Sequence, residues 1–203
     1  MLKLHFCSNS RSQRVLWLLE ELKLPYTLNK IKFHPSELKS EEHRKRHPLG
    51  RVPVLEDDNI TLFESGAIID YIIEKYDNKE LKPKVSSSLF PSYLQWYHYC
   101  EGMVMPPMNT VVVHTLILPE DRRDPEVLRQ AKNLLSKAIA PINELLSQNK
   151  FLIGEKISGV DFMLGHSLYM ANKLGCISEE LANIHRYIQL LNSLESFQKA
   201  INA

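Results

Sequence analysis

Residues 50–67, GRVPVLEDDNITLFESGA, carry the pattern that decides the fold. Two apolar runs at 52–56 and 60–63 flank a short polar turn at 57–59, which predicts a β-hairpin. Pro53 stands at the start of the first strand, a position that tolerates a missing N–H, and the bond before it is a candidate for the cis form. The backbone of Val52 could then pair with an extended peptide ligand, although an ordinary edge strand explains the same residues.

The end of this stretch places an acid and a hydroxyl where the hairpin meets a helix. Glu64 and Ser65 follow the second strand, and isoleucines at helical spacing predict a helix from about residue 65 to residue 76. Ser65 can cap this helix. Alternatively, the helix N–H groups, the positive end of its dipole and the Ser65 hydroxyl can hold a ligand carboxylate, while Glu64 accepts a ligand ammonium.

The segments on both sides of the hairpin predict two domains. Alternation over residues 2–6 predicts a strand, the apolar spacing of 15–22 a helix, and 26–31 a second extended segment. Residues 35–46 are helix-permissive with Ser36 as a plausible N-cap, so the order up to residue 76 is β-α-β-α-β-β-α. Residues 79–88 are rich in Lys, Pro and Ser, which is typical of a linker. We therefore expect an α/β domain at 1–78, a linker at 79–88 and an all-helical domain at 89–203.

Three local signals organise the helical part. Pro106 and Pro107 predict a break in a helical stretch over residues 89–118. Asp124 precedes a proline and a long apolar stripe, so it predicts the start of a core helix. Ser158 and Asp161 have the spacing of a capping box, with apolar neighbours placed as a hydrophobic staple.

Composition excludes several classes of protein. The chain has 203 residues, 44% of them hydrophobic, and its 25 Lys and Arg nearly cancel its 24 Asp and Glu, which argues against disorder and against non-specific nucleic-acid binding. Seven glycines form neither a G-x-G-x-x-G nor a Walker pattern. The three cysteines are widely spaced, the N-terminal residues lack the pattern of a signal peptide, and no apolar run approaches the ~20 residues of a membrane span. These observations predict a cytoplasmic protein without membrane attachment.

The loop before the first helix, residues 7–15 (CSNSRSQRV), is dense in hydrogen-bond donors at a helix N terminus. A hydroxyl donor and a helix dipole favour a thiolate and lower the pKa of a thiol from its usual value of ~8.5. Ser10 or Ser12 could instead merely cap the helix.

Together these motifs resemble cytosolic glutathione transferases, and the overall pattern is most similar to the bacterial and fungal serine-type lineage. The segments that carry the resemblance are RVLWLLEEL at 14–22, HPLGRVPVL at 47–55, ESGAI at 64–68 and LIGEKISGVDF at 152–162. The resemblance implies a thioredoxin-like α/β N-terminal domain that binds glutathione, followed by an all-α C-terminal helical domain. It also implies a homodimer and no metal ion.

Carried over residue by residue, the resemblance assigns a glutathione site. Pro53 resembles the family's cis-proline, and Val52 the residue whose backbone pairs with the cysteinyl part of glutathione. Glu64 and Ser65 resemble the pair that holds the γ-glutamyl end, and Arg51 occupies a position that often contacts the glycine carboxylate.

The catalytic position falls on Asn9 or Ser10, depending on which class of the family serves as template. We prefer Ser10 as the hydrogen-bond donor to the thiolate, with Asn9 and Ser12 as alternatives. Cys7 is interpreted as a buried strand thiol, because it lies earlier than the cysteine of cysteine-type members and lacks the following proline.

Tyr97, Glu101 and Met105 are spaced four residues apart and are predicted to share one helix face that lines the pocket for a small hydrophobic electrophile. A stripe of aromatic and methionine side chains is also typical of a helical core. His98 and Glu101 could contact a metal ion, but two ligands without a third do not make a site.

The predicted activity is the addition of the glutathione thiolate to a small hydrophobic electrophile. A glutathione-dependent peroxidase, disulfide reductase or isomerase would share the thiolate site. A non-catalytic member that binds ligands or proteins is the third alternative, because the loop has no tyrosine and no clear catalytic cysteine.

Overall fold

Alternating apolar residues build a mixed four-stranded sheet in the first half of the chain. The computed structural model describes all residues, Met1–Ala203. The strands are β1 (Leu2–Phe6), β2 (Tyr26–Lys30), β3 (Val54–Asp57) and β4 (Ile60–Phe63), in the spatial order β2-β1-β3-β4. β1 pairs parallel with β2 and antiparallel with β3, and β3 pairs antiparallel with β4. The predicted strands and hairpin are therefore confirmed.

Helices α1 (Ser12–Leu22) and α4 (Ser65–Tyr76) contact each other and bury the apolar positions that the sequence singles out. The polar segment at 35–46 forms two short helices, α2 (Pro35–Leu38) and α3 (Glu41–Arg46), where one was expected. Ser36 is not an N-cap: the side chain of His34 caps α2, and Ser40 accepts the His43 N–H at the start of α3. The element order β-α-β-α-β-β-α holds, with its second helix divided.

The hairpin turn is shorter than predicted, because Asp57 belongs to β3. The Asp57 carboxylate is buried and accepts hydrogen bonds from Tyr71 (2.8 Å), Lys75 (2.7 Å) and Tyr76 (2.6 Å) on α4. Burial alone would raise the pKa of Asp57, but these three hydrogen bonds together lower it to about 2. The turn is left to Asp58 and Asn59, and Asp58 adopts a positive φ of 52°.

Only helices follow. They are α5 (Phe90–Tyr99), α6 (Met105–Val112), α7 (Pro125–Leu145), α8 (His166–Lys173), α9 (Ala182–Asn192) and α10 (Glu195–Ile201), with π-helical turns at Cys100–Val104, Val113–Ile117 and Asp161–Gly165. The break predicted near Pro106 is a π-helical turn that ends just before α6, and the proline lies in the first turn of α6, where its missing N–H is not needed. None of these helices is long and apolar enough to cross a membrane.

Both helix-start signals in this part are confirmed. The Asp124 carboxylate accepts the N–H groups of Glu126 (2.9 Å) and Val127 (3.1 Å) at the start of α7. The Asp161 carboxylate accepts the Ser158 N–H (2.8 Å), which is one half of a capping box, and it also accepts the Ser158 hydroxyl (2.9 Å), while the Asp161 N–H donates to the Ser158 carbonyl. The same buried carboxylate also accepts bonds from the Leu152 N–H and the Tyr187 hydroxyl, yet burial raises its pKa.

The chain divides into two compact units, Met1–Leu81 with Leu191–Ala203, and Lys82–Leu190. The boundary after Leu81 falls inside the predicted linker, but the last residues differ from the expected domain of 89–203. Helix α10 packs against α1, with Phe197 edge-on to Trp17 at a ring separation of 4.7 Å and fully buried. The sequence alone places this segment in the helical domain and does not reveal that α1 covers its apolar face.

Candidate functional site

The three segments with chemical signals meet at one end of the sheet. His5 pairs with Val54 across β1 and β3, and Val54 pairs with Phe63 across β3 and β4. The residues just after β1, just before β3 and just after β4 therefore lie next to one another. This end holds the loop from Cys7, the Val52–Pro53 step and the Glu64–Ser65 junction.

The peptide bond between Val52 and Pro53 is cis. Pro53 is buried and precedes β3, so the sheet loses no ladder hydrogen bond to it. Val52 is half-buried, and Arg51 is exposed beside it. The conformation predicted for this step is thus present in the structure.

The segment that leads into the cis bond is held by side chains from the α2–α3 region. The Lys39 ammonium donates to the carbonyl oxygens of Leu49 and Gly50 (3.1 Å to Gly50), and His43 Nε2 donates to the carbonyl of Arg51 at 2.8 Å. Gly50 has a φ of +53°, and a Cβ atom there would lie 2.1 Å from the Leu38 carbonyl oxygen. Only glycine fits this close approach.

The strand-to-helix junction has an unusual backbone at Glu64, whose φ is +73°. Glu64 is the N-cap residue of α4 and is exposed, and no side chain caps this helix. Ser65 is buried, and its hydroxyl oxygen accepts a hydrogen bond from Arg14 Nη1 at 3.0 Å. The capping role considered for Ser65 is therefore not observed. Because its oxygen accepts from Arg14, the Ser65 hydroxyl can direct its own proton toward a ligand at the α4 N terminus.

The loop after β1 is a compact hydrogen-bonded turn. The half-buried Ser10 hydroxyl lies 2.6 Å from the Cys7 carbonyl, which it can reach as a donor, and 2.9 Å from the Ser12 hydroxyl. Ser12 is fully buried and accepts the Cys7 N–H at 3.3 Å. Asn9 is exposed with a φ of +55°. The N-cap residue of α1 is Arg11, without a side-chain cap, but the Ser10 hydroxyl accepts the N–H of Ser12, the first residue of the helix, at 3.1 Å.

Cys7 itself is buried at the end of β1, as interpreted from the sequence. Burial raises the pKa of its thiol, and the nearby carboxylate of Glu37 acts in the same direction. At neutral pH the thiol is therefore protonated and a poor nucleophile. None of the three cysteines forms a disulfide, and no group of three or more His, Cys, Asp or Glu side chains is arranged to hold a metal ion.

The residues predicted for the electrophile pocket lie in the second unit, with different surroundings. Tyr97 is buried and stacks on Tyr93 with ring centroids 5.5 Å apart, and Met105 is buried with the Ser167 hydroxyl 3.5 Å from its sulfur. Glu101 is half-exposed and lies in the π-helical turn Cys100–Val104. Because a π-helical turn is wider than an α-helical one, a spacing of four residues does not keep strict register across it.

Three residues of the site are not evident in the sequence pattern: Arg14, Lys39 and His43. Only Arg14 has a signal in the sequence, which is a charged residue directly beside the apolar residues of α1. The structure shows that this arginine is fully buried. A buried arginine needs polar partners, which makes such a position a candidate for site chemistry. Lys39 and His43 lie in a polar segment where nothing in the spacing marks them.

Two family models match the chain. The model of the glutathione S-transferase N-terminal domain matches residues 1–74, and that of the glutathione S-transferase C-terminal domain matches residues 104–195. Together they span both units of the structure.

Curated relatives and solved structures agree with these matches. The chain is 27% identical over 204 residues to glutathione S-transferase 3 of Schizosaccharomyces pombe, covering 95% of this chain and 83% of the relative. It is 31% identical over 161 residues to the probable glutathione S-transferase GSTF1 of Oryza sativa subsp. japonica, covering 77% and 73%. Poplar glutathione transferase F1 has the same fold, with a TM-score of 0.86, 27% identity and coverage of 99% and 96%.

Other matches carry different names or a bound ligand. Maleylacetoacetate isomerase of Dictyostelium discoideum is 25% identical over 190 residues, and elongation factor 1-gamma of Danio rerio is 34% identical over 125 residues, which are 26% of its own length. A theta class glutathione S-transferase of Xanthomonas axonopodis pv. citri, solved with glutathione bound, shares the fold with a TM-score of 0.90 at 21% identity. With both domain models matched in order and the cis-proline hairpin in place, the chain belongs to the glutathione S-transferase family.

Proposed function

We propose that this protein binds glutathione in its first unit and adds the glutathione thiolate to a small hydrophobic electrophile. The observation that carries the proposal is the meeting of two ligand-binding features at one end of the sheet. One is the Val52 backbone before the cis bond, and the other is the Ser65 hydroxyl supported by the buried Arg14. The glutathione bound to a theta class relative of the same fold supports the choice of ligand.

Each part of glutathione has a counterpart in this site. The backbone of Val52 pairs with the cysteinyl part by strand addition. Ser65 donates to the γ-glutamyl carboxylate at the N terminus of α4, and the exposed Glu64 accepts the ammonium. Arg51, which is exposed beside Val52, meets the glycine carboxylate.

The thiolate is stabilised by the loop between β1 and α1. Ser10 is the preferred donor, because it is half-buried and can turn its proton from the Cys7 carbonyl to an incoming sulfur. Asn9 is the first alternative, since it is exposed on the same loop. Ser12 ranks last, because it is fully buried and already accepts the Cys7 N–H. Catalysis comes from proximity and from electrostatic stabilisation of the thiolate, with no step that needs a metal ion.

The electrophile site and the assembly are part of the same proposal. Tyr97, Glu101 and Met105 remain the residues that we propose to contact the electrophile. A homodimer and a cytoplasmic location follow from the family resemblance and from the cysteine content, and no nucleic acid or membrane partner is expected.

Two alternatives are favoured by specific relatives. An isomerase would use the same thiolate and is supported by the similarity to maleylacetoacetate isomerase. A non-catalytic role is supported by the similarity over 125 residues to elongation factor 1-gamma, whose name states no transferase activity. A glutathione-dependent peroxidase or disulfide reductase would use the same site without a distinguishing residue.

A titration of the ultraviolet absorbance of the glutathione thiolate tests the proposal together with turnover. We expect wild-type protein to lower the pKa of bound glutathione and to conjugate aryl halides, and Ser10→Ala to lose both effects while still binding glutathione. If Asn9→Ala loses them and Ser10→Ala does not, the donor is Asn9. A panel of aryl halides, hydroperoxides, mixed disulfides and maleyl substrates separates the enzymatic alternatives, and inactivity on every substrate would support the non-catalytic role.

A further inference from the structure

A buried histidine on α3 is hydrogen-bonded to the peptide unit that precedes the cis bond. His43 is 3% exposed, and its Nε2 atom lies 2.8 Å from the carbonyl oxygen of Arg51. A carbonyl oxygen can only accept, so Nε2 carries the proton and donates it. The other ring nitrogen has no hydrogen-bond partner within the chain, so the bond to Arg51 is the polar contact of this imidazole.

The orientation of one peptide plane follows from that bond. The carbonyl of Arg51 and the N–H of Val52 belong to the same peptide unit, which is planar and trans, so the two groups point in opposite directions. Because His43 holds the carbonyl toward α3, the Val52 N–H is directed away from α3.

Neighbouring contacts leave this plane little freedom. Lys39 holds the two preceding carbonyls, of Leu49 and Gly50, so three successive carbonyls bond to side chains of the same region. On the other side the chain enters the cis bond and then β3. His43 therefore holds the peptide plane that leads directly into the cis bond.

We propose that His43 is a positioning residue for the co-substrate: by fixing the Arg51 carbonyl it aims the Val52 backbone at the cysteinyl part of glutathione. This inference rests on the proposed function, in which Val52 provides that contact. His43 itself contacts neither the sulfur nor the electrophile in this scheme. Its loss should therefore weaken glutathione binding and leave the chemical step unchanged at saturation.

The test compares two variants of His43 with the same exchange at a second buried histidine. His43→Phe keeps a ring and removes the donor, whereas His43→Gln keeps an N–H donor. His166→Phe is the matched control, because His166 is as buried as His43 but lies on α8 in the second unit, whereas His5 contacts the ring of His43. Each variant is characterised by calorimetric glutathione affinity, by KM for glutathione and for the electrophile, and by kcat.

We expect His43→Phe to weaken glutathione binding about 3- to 10-fold, as loss of one orienting hydrogen bond implies, with kcat within about twofold of wild type. His43→Gln should restore affinity to within about twofold, and His166→Phe should bind glutathione like wild type. If His43→Phe does not fold, His43→Met takes its place with the same expectation.

Two results would overturn the assignment while the proposed function stands: unchanged glutathione affinity in His43→Phe, or an equal loss of affinity in His166→Phe. Absence of glutathione binding by the wild-type protein would overturn the proposed function and this assignment with it.

Discussion

Replacing Ser65 with alanine removes one hydroxyl that we assign two partners. Within the protein, Arg14 Nη1 donates to this hydroxyl at 3.0 Å, and both residues are buried. Loss of a buried hydrogen bond from a charged group costs about 1.5–3 kcal/mol, so Ser65→Ala should lower the free energy of unfolding by that amount. Toward the ligand, loss of the bond to the γ-glutamyl carboxylate costs a similar amount, which raises the Kd for glutathione about 10- to 100-fold.

The two effects can be separated with a chemically matched control. Ser158 is also buried and donates its hydroxyl to a carboxylate, that of Asp161 at 2.9 Å, but it lies in the second unit. We expect Ser158→Ala to lose stability in urea unfolding and to keep wild-type glutathione affinity in calorimetry. If Ser65→Ala loses stability and still binds glutathione within twofold of wild type, Ser65 only supports Arg14, and the assigned contact with the ligand is refuted.

Three further predictions concern the scaffold of the site. The pKa of Asp57 is 3.8 ordinarily and about 2 in the fold, so the ionised carboxylate contributes about 2 kcal/mol to the free energy of unfolding above pH ~4, and this contribution disappears as the pH falls toward 2. In urea unfolding, Asp57→Asn should therefore lose less stability than wild type between pH ~4 and ~2. An equal dependence of stability on pH in the two proteins would contradict the assigned pKa. Phe197→Ala should lower the free energy of unfolding by about 3–5 kcal/mol and change the near-ultraviolet circular dichroism of Trp17. An unchanged Trp17 signal would show that α10 does not pack on α1. Gly50→Ala should be destabilised by more than about 1 kcal/mol and should weaken glutathione binding, because its Cβ would meet the Leu38 carbonyl; wild-type affinity would show that this turn does not set the site.

Local sequence patterns predict much of the fold, because the elements concerned are determined by short-range physics. The spacing of Ile68, Ile69, Ile72 and Ile73 predicts α4 over the bounds at which it is found. The capping box of Ser158 and Asp161 is equally local, since both partners lie within one turn. Elements whose limits depend on distant contacts are less predictable, and α10 is the clearest case, because its apolar face is covered by α1 from the opposite end of the chain.

The same division applies to the site. The cis bond between Val52 and Pro53 can be predicted because only a bond before proline readily adopts the cis form, and because the family resemblance implies it at this position. The hydrogen bond from Arg14 to Ser65 joins segments that are far apart in the chain. The hydrogen bond from His43 to the Arg51 carbonyl joins a short polar helix to a loop whose sequence has no periodicity. Neither residue type nor spacing specifies such partners, so they become evident only in the folded structure.

Isothermal titration of the wild-type protein with glutathione, beside the dipeptide cysteinylglycine, tests the central claim most directly. Cysteinylglycine keeps the parts assigned to Val52 and Arg51 and lacks the γ-glutamyl group assigned to Glu64 and Ser65. We predict saturable heat at one site per chain for glutathione and no saturable heat for the dipeptide at the same concentration. Absence of saturable binding of glutathione, or equal affinity for the two ligands, would contradict the assigned site.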